Sequence, residues 1–84
     1  MLEKIIVVDQ IEVIENGNVQ VRTATKIVED GKEINRTLHR HVVAPGDDYS
    51  QEDDRVKAIC AATHTPEVIA AYQAMIEANK PIEV

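Results

Sequence analysis

The segment Arg36-Thr37-Leu38-His39-Arg40-His41 holds the side chains best suited to chemistry. His39 and His41 are two residues apart, so on a β-strand both imidazoles lie on the same face and could bind one zinc or other transition metal. The third ligand would come from Asp47, Asp48 or His64. Arg22 is predicted to lie beside His39, and a cation there disfavours a metal. We therefore expect no metal, and favour a polar strand face that forms salt bridges or contacts another subunit.

Two arginines, Arg36 and Arg40, fall on the other face of the same predicted strand, among apolar neighbours. Their stems can cover apolar surface while each guanidinium reaches a carboxylate. The nearest carboxylates in the sequence are Asp47, Asp48, Glu52, Asp53 and Asp54. We expect an arginine–carboxylate clamp within one subunit or between two. The alternative is independent exposure, with each ion pair contributing less than ~1 kcal/mol.

The acidic segment 45–54 contains five carboxylates and no base. Calcium needs six to eight oxygen ligands at a defined loop spacing, and the EF-hand order of residues is missing from this segment. The pattern therefore predicts a turn followed by the acidic start of a helix.

The remaining polar side chains have structural explanations. Cys60 lies in an apolar stripe at helical spacing and is predicted to fill space in the core. Ser50 and Thr65 are predicted helix caps, and His64 suits the end of a helix. Three dispersed glycines cannot form a phosphate-binding loop. We expect no catalytic residue, no cofactor and no enzymatic activity.

Composition indicates one small folded domain, residues 1–84. Hydrophobic residues make up 44% of the chain and aromatic residues 2%, so the predicted core is aliphatic. A net charge of -6, with nine basic and fifteen acidic side chains, argues against direct nucleic-acid binding. No apolar run approaches the ~20 residues of a membrane span, and no signal peptide is expected. A lone cysteine excludes an intrachain disulfide and favours a reducing compartment.

The first half of the sequence predicts a three-stranded antiparallel meander over residues 1–43. Residues 4–15, 18–29 and 32–43 are rich in Ile and Val and alternate with polar residues. Asn16-Gly17 and Asp30-Gly31 separate them, and both dipeptides favour two-residue turns.

Two-residue turns set the predicted register. One face then carries the predicted core: Ile6, Val8, Ile14, Val19, Val21, Ile27, Ile34, Leu38 and Val42. The opposite face carries Val7, Ile11, Val13, Gln20, Arg22, Lys26, Asn35, His39 and His41. A three-residue turn at either position would turn a strand over.

The second half predicts two helices, residues 51–64 and 66–79, after a loop at 44–50 and before a tail at 80–84. Ser50 is the predicted N-cap of the first helix, with Asp53 three residues later. Thr65 and Pro66 begin the second helix, and Pro81 stops it. The predicted fold is α+β, with the helical pair packed on one face of the meander.

The predicted strands are too long for the predicted helices to cover. Eleven extended residues span roughly 36 Å, whereas a thirteen-residue helix is only about 20 Å long. Unless the strands are bent or shorter, apolar surface stays exposed and marks a partner surface. The interface candidates are Val7, Ile11, Val13, Arg36, His39, Arg40, His41, Asp47 and Asp48.

Several segments resemble a group of short proteins encoded by tailed bacteriophages. They are VQVRTAT at Val19–Thr25, the turn Glu29-Asp30-Gly31, HRHVVAPGDD at His39–Asp48 and HTPEVIAAYQA at His64–Ala74. The resemblance covers about two thirds of the chain. It implies a virion or accessory phage protein, loosely associated with structural and tail genes. It implies no activity, cofactor or catalytic residue.

Together these features predict a non-enzymatic phage structural or assembly protein. Its expected partners are further copies of itself, other phage structural proteins, or both, and we expect no membrane partner. Its expected location is the host cytoplasm during infection, with incorporation into the virion if the role is structural. The alternative is a small acidic phage protein that inhibits a host factor through its carboxylates.

Overall fold

A computed structural model describes residues 1–79. The sheet contains β1 (Leu2–Val13), β2 (Val19–Glu29) and β3 (Lys32–Val43), which are antiparallel and in the order β1-β2-β3. Two helices follow, α1 (Asp54–Thr63) and α2 (Pro66–Ala78). The predicted α+β architecture is confirmed. The predicted stop at Pro81 and the tail at 80–84 lie outside the described residues.

The two hairpin turns differ in length. Asp30 and Gly31 both have positive φ, 51° and 82°, as a two-residue type I′ turn requires. The first turn instead has three residues, 15–17. They are enclosed by a hydrogen bond in which the Ile14 N–H donates to the Asn18 carbonyl at 2.9 Å. Gly17, with φ of 96°, supplies the left-handed residue that such a loop needs.

The longer first turn moves part of β1 to the other face of the sheet. Val13 pairs with Val19, and Ile11 pairs with Val21, so all four share one face. A bulge at Asp9 restores the predicted face for residues 2–8. The expectation that Ile11 and Val13 lie opposite the core residues was therefore wrong.

A second bulge turns over most of β3. The register shifts between Ile27 and Val28 on β2, which leaves Ile34 as the extra residue on β3. His39 and His41 consequently share the face of the core, whereas Leu38 and Val42 lie on the opposite face. Thr23 is paired with His39, so the predicted placement of Arg22 beside His39 was also wrong; Arg22 pairs with Arg40.

The core is small, aliphatic and located at one end of the sheet. Its buried members come from the start of β2, from the end of β3 and from α1. They are Val19, Val21, Val43, Val56 and Cys60. Partly buried side chains pack against this cluster: Val8, Ile11, Tyr49 and Ile59. Cys60 fills space in this core, as its position in an apolar stripe predicted.

Local hydrogen bonds set the helix boundaries. Asp53, not Ser50, is the N-cap of α1, because its carboxylate accepts from the Arg55 N–H at 2.9 Å. The predicted first helix therefore began too early. Thr65 is the N-cap of α2, as predicted, and Pro66 follows it. Within α2, side chains of Val68 and Ile69 approach the turns that contain Gly17 and Gly46.

The molecule is elongated because both helices contact the same end of the sheet. Its extents are 58 × 31 × 20 Å and its radius of gyration is 17.1 Å. A compact chain of this length has a radius of gyration of about 12 Å. The half of the sheet farthest from the helices is therefore left without a covering layer.

Candidate interaction surface

The uncovered half of the sheet, here called the distal sheet, comprises residues 2–8, 23–29 and 32–38. Its outer strands are exposed along almost their whole length. Several large apolar side chains are among the exposed ones: Leu2, Ile5, Ile6, Val7, Ile34 and Leu38. Soluble monomers rarely leave so continuous an apolar area open to water. The distal sheet is therefore the principal candidate for an interaction site.

Apolar side chains occur on both faces of the distal sheet. On the face away from α1, Val7, Ala24 and Leu38 form one cross-strand row, and Ala24 at its centre is fully buried. On the face that α1 covers farther along, Ile6 is 64% exposed. Neither face follows the alternation of a sheet with one solvated side.

A charged network crosses the face away from α1. The Arg22 guanidinium donates two hydrogen bonds to the Asp9 carboxylate, at 2.9 and 3.0 Å. Arg36 donates to Glu33 at 2.9 and 3.0 Å and reaches Asp9 at 3.5 Å. Asp9, at the bulge of β1, is thus within reach of both arginines.

These contacts shift the protonation equilibria of the network. The hydrogen bond from Arg22 holds the pKa of Asp9 below its usual value, and the hydrogen bond from Arg36 lowers the pKa of Glu33. The same contacts raise the pKa of Arg22 and of Arg36. All four side chains are consequently charged at neutral pH.

The predicted clamp between the β3 arginines and the acidic segment does not form within the described chain. Arg36 takes Glu33 and Asp9 as its partners, and Arg40 faces a shallow polar depression of about 220 Å³. The acids of the segment have other partners. They are the Ala44 N–H for Asp47, the Ser50 N–H for Asp48, His41 for Glu52, the Arg55 N–H for Asp53 and Lys57 for Asp54.

The two histidines of β3 lie side by side at the border of the core. Their ring centroids are 6.4 Å apart with an interplanar angle of 27°. His41 Nε2 lies 2.7 Å from Glu52 Oε1, which ties β3 to the segment before α1. His39 is exposed. His41 thus has a carboxylate partner within the chain, and a contact of the two histidines with another subunit stays a prediction.

The proposed third metal ligands are engaged elsewhere. Asp47 and Asp48 accept backbone hydrogen bonds in their own turns, and His64 bonds to Gly17. Among residues 1–79, no three His, Cys, Asp or Glu side chains form a group that could hold a metal ion.

A thiol is the strongest nucleophile in the described chain, and it is inaccessible. Cys60 is fully buried, and desolvation raises the pKa of its thiol. A low thiolate fraction and the lack of access both oppose nucleophilic chemistry at this position.

Sequence reasoning placed some interface candidates together and missed others. Val7, Arg36 and Arg40 share the face away from α1, whereas Ile11 packs against the core. Val13, His39 and His41 lie on the other face, and Asp47 and Asp48 lie in the loop after β3. The missed residues of the distal sheet are Leu2, Ile5, Ile6, Ile34 and Leu38. The unbroken run Ile5-Ile6-Val7-Val8 was the signal for Ile5 and Ile6, because apolar neighbours in a strand point to both faces.

Comparisons with known proteins identify no relative of this chain. No protein-family model, curated protein sequence or solved structure matches the chain at a significant level. Neither α1 nor α2 has the length and apolar character needed to cross a membrane.

Proposed function

We propose that this protein is a non-enzymatic structural or assembly protein that works through protein–protein contacts and associates with further copies of itself. The observation that carries the proposal is the distal sheet, whose apolar side chains are exposed on both faces. Burial of such surface is the main favourable contribution to protein association.

The amount of exposed surface supports this role. The accessible surface is 6183 Å², whereas a compact monomer of 9.4 kDa exposes about 5,000 Å². The excess of roughly 1,200 Å² is larger than the roughly 800 Å² that each partner contributes to a standard interface. The protein thus has enough surplus surface for a stable contact.

The setting we propose is a tailed bacteriophage. It rests on the resemblance of HRHVVAPGDD at His39–Asp48 and of the neighbouring segments to short phage proteins. A self-associating phage protein would be located in the host cytoplasm during infection, and a structural one would enter the virion. Other phage structural proteins are then its further partners.

A second hypothesis, inhibition of a host factor by phosphate mimicry, has weaker support. It depends on the carboxylates of the acidic segment being free to imitate a nucleic acid. Most of these carboxylates instead cap turns or form ion pairs in the structure. Replacing all five with amides would abolish binding to host proteins if mimicry were the function.

Analytical ultracentrifugation across a range of protein concentrations tests the proposed function directly. We expect a reversible oligomer whose mass is a multiple of 9.4 kDa. Mass spectrometry of purified particles tests the structural role separately. A chain that stays monomeric at high concentration and is missing from particles would overturn the proposal.

A further inference from the structure

The outer edge of β1 differs from an ordinary sheet edge. The sheet order β1-β2-β3 leaves one side of β1 without a neighbouring strand in the described chain. Residues 2–8 pair with β2 without interruption, and the first bulge comes only at Asp9. At that bulge, Arg55 from α1 donates a hydrogen bond to the Val8 carbonyl. The open edge is therefore straight, regular and limited to the segment before the bulge.

The side chains of this edge suit the interior of a sheet. Ile5 and Val7 point to the face away from α1, while Leu2 and Ile6 point to the other face. Leu2 and Ile6 are 63% and 64% exposed. An exposed edge strand with apolar side chains on both faces favours pairing with another chain.

The opposite edge carries the features that normally prevent strand addition. β3 has a bulge near its start, at Ile34, and cationic side chains along its length: Lys32, Arg36 and Arg40. Bulges and charges of this kind protect an edge from pairing with another chain. Residues 2–8 of β1 carry two charged side chains, Glu3 and Lys4, but no bulge, so β1 is the edge that is more open to pairing.

We propose that β1 pairs antiparallel with β1 of a second copy and joins the two sheets into one continuous six-stranded sheet. The two-fold axis runs perpendicular to the sheet near Ile5, because this residue is the centre of the unbulged segment 2–8. A second copy of the chain can fill the open edge, because in a two-fold contact the same segment of both copies forms the interface. This inference rests on the proposed function and names its contact surface.

Charge placement favours that centre. With the axis at Ile5, Glu3 faces Val7 of the second copy and Lys4 faces Ile6. An axis at Glu3 or at Lys4 would place two like charges directly opposite each other, which is destabilising in a strand pair. Two apolar residues, the exposed Leu2 and the partly buried Val8, also face each other across the Ile5-centred contact.

The test compares the same substitution on the two edges, Ile6→Lys on β1 and Ile34→Lys on β3. These isoleucines have similar exposure, 64% and 53%, so the cost to the monomer is matched. We expect Ile6→Lys to raise the dissociation constant of the oligomer by at least about tenfold, since an edge lysine opposes pairing. Ile34→Lys should leave it nearly unchanged. Circular dichroism verifies that both variants fold.

Cysteine cross-linking gives a second measurement, which does not depend on weakening the oligomer. Directly opposite residues in an antiparallel pair are close enough for a disulfide, and the native Cys60 is buried. Under mild oxidation, Ile5→Cys should form covalent dimers, whereas Thr37→Cys on β3 should not.

The outcomes separate the two proposals. A wild-type protein that stays monomeric at high concentration would overturn this inference, and it would overturn the proposed function as well if the protein is also missing from particles. An oligomer that resists Ile6→Lys, or loses affinity equally with Ile34→Lys, would overturn the β1 contact alone. Cross-linking that is stronger at position 37 than at position 5 would do the same.

Discussion

His64 Nε2 donates a hydrogen bond to the backbone carbonyl of Gly17 at 2.7 Å. His64 is the C-cap residue of α1, and Gly17 closes the turn between β1 and β2. Both residues are buried, and the His64 ring lies beside Tyr49. This hydrogen bond joins the end of α1 to the first hairpin across 47 residues of chain.

Removing the imidazole should destabilise the fold. In His64→Ala the buried Gly17 carbonyl loses its donor, and an unsatisfied buried acceptor costs about 1–3 kcal/mol. His64→Gln retains a donor and should recover part of that loss. Urea denaturation of both variants measures the difference in the free energy of unfolding. Equal stabilities of the two variants would show that the hydrogen bond contributes little.

Gly17 should tolerate substitution less well than Gly31. Both have positive φ, so alanine is strained at either position, by about 1 kcal/mol. At Gly17 a Cβ would also lie 2.8 Å from Pro45 Cγ and from Val68 Cγ1, whereas at Gly31 it would meet nothing within 4 Å. We expect Gly17→Ala to cost roughly 1–3 kcal/mol more than Gly31→Ala because of this overlap. Thermal denaturation of the pair provides the check, and similar melting temperatures would contradict the packing at the first turn.

The ion pair between Asp9 and Arg22 should make stability depend on acid pH. The pKa of Asp9 is lowered in the folded protein, so the unfolded chain binds protons first as the pH falls toward 3.8, the ordinary pKa of an aspartate side chain. The pair's stabilisation is therefore present above that pH and is lost as the pH falls through the lower, folded-state pKa.

Substitution of either partner tests this dependence. Asp9→Asn and Arg22→Gln should each flatten the acid decline in the free energy of unfolding, measured by urea denaturation from pH 6 down to pH 2. High salt should weaken the difference between wild type and variants, because the pair is partly exposed. An unchanged acid decline in Asp9→Asn would contradict the assignment.

The N-cap of α1 can be tested with two neighbouring substitutions. Asp53→Ala removes the carboxylate that accepts from the Arg55 N–H and should cost about 0.5–2 kcal/mol. Ser50→Ala, at the cap that the sequence pattern favoured, should have little effect because Ser50 lies before the helix. The comparison would fail if Ser50→Ala were the more destabilising of the two.

The sequence pattern predicted the elements better than their faces. Alternating Ile and Val residues with Gly-containing turns were sufficient for three strands, and Thr65-Pro66 was sufficient for the start of α2. The register could not be predicted, because Asn-Gly is compatible with both two-residue and three-residue turns. Each choice changes the face of every following side chain.

The two bulges were the second source of error. The bulge at Asp9 is stabilised by Arg22, a contact between residues that are 13 positions apart and cannot be recognised locally. The exposed distal sheet, in contrast, followed from lengths alone, because a strand of 12 extended residues is about 40 Å long, whereas helices of 10 and 13 residues are only about 15 and 20 Å long. Length was therefore a more dependable guide to the exposed part of the sheet than side-chain alternation.

The location of the core at one end divides β2 into two dynamic regimes. Val19 and Val21 belong to the core, so their amide protons exchange with solvent only when the whole domain opens. Toward Glu29 the same strand is flanked by exposed neighbours, and local opening there requires much less free energy. A single strand should thus show a gradient of hydrogen-exchange protection along its length, and a partner bound to the far end would remove that gradient.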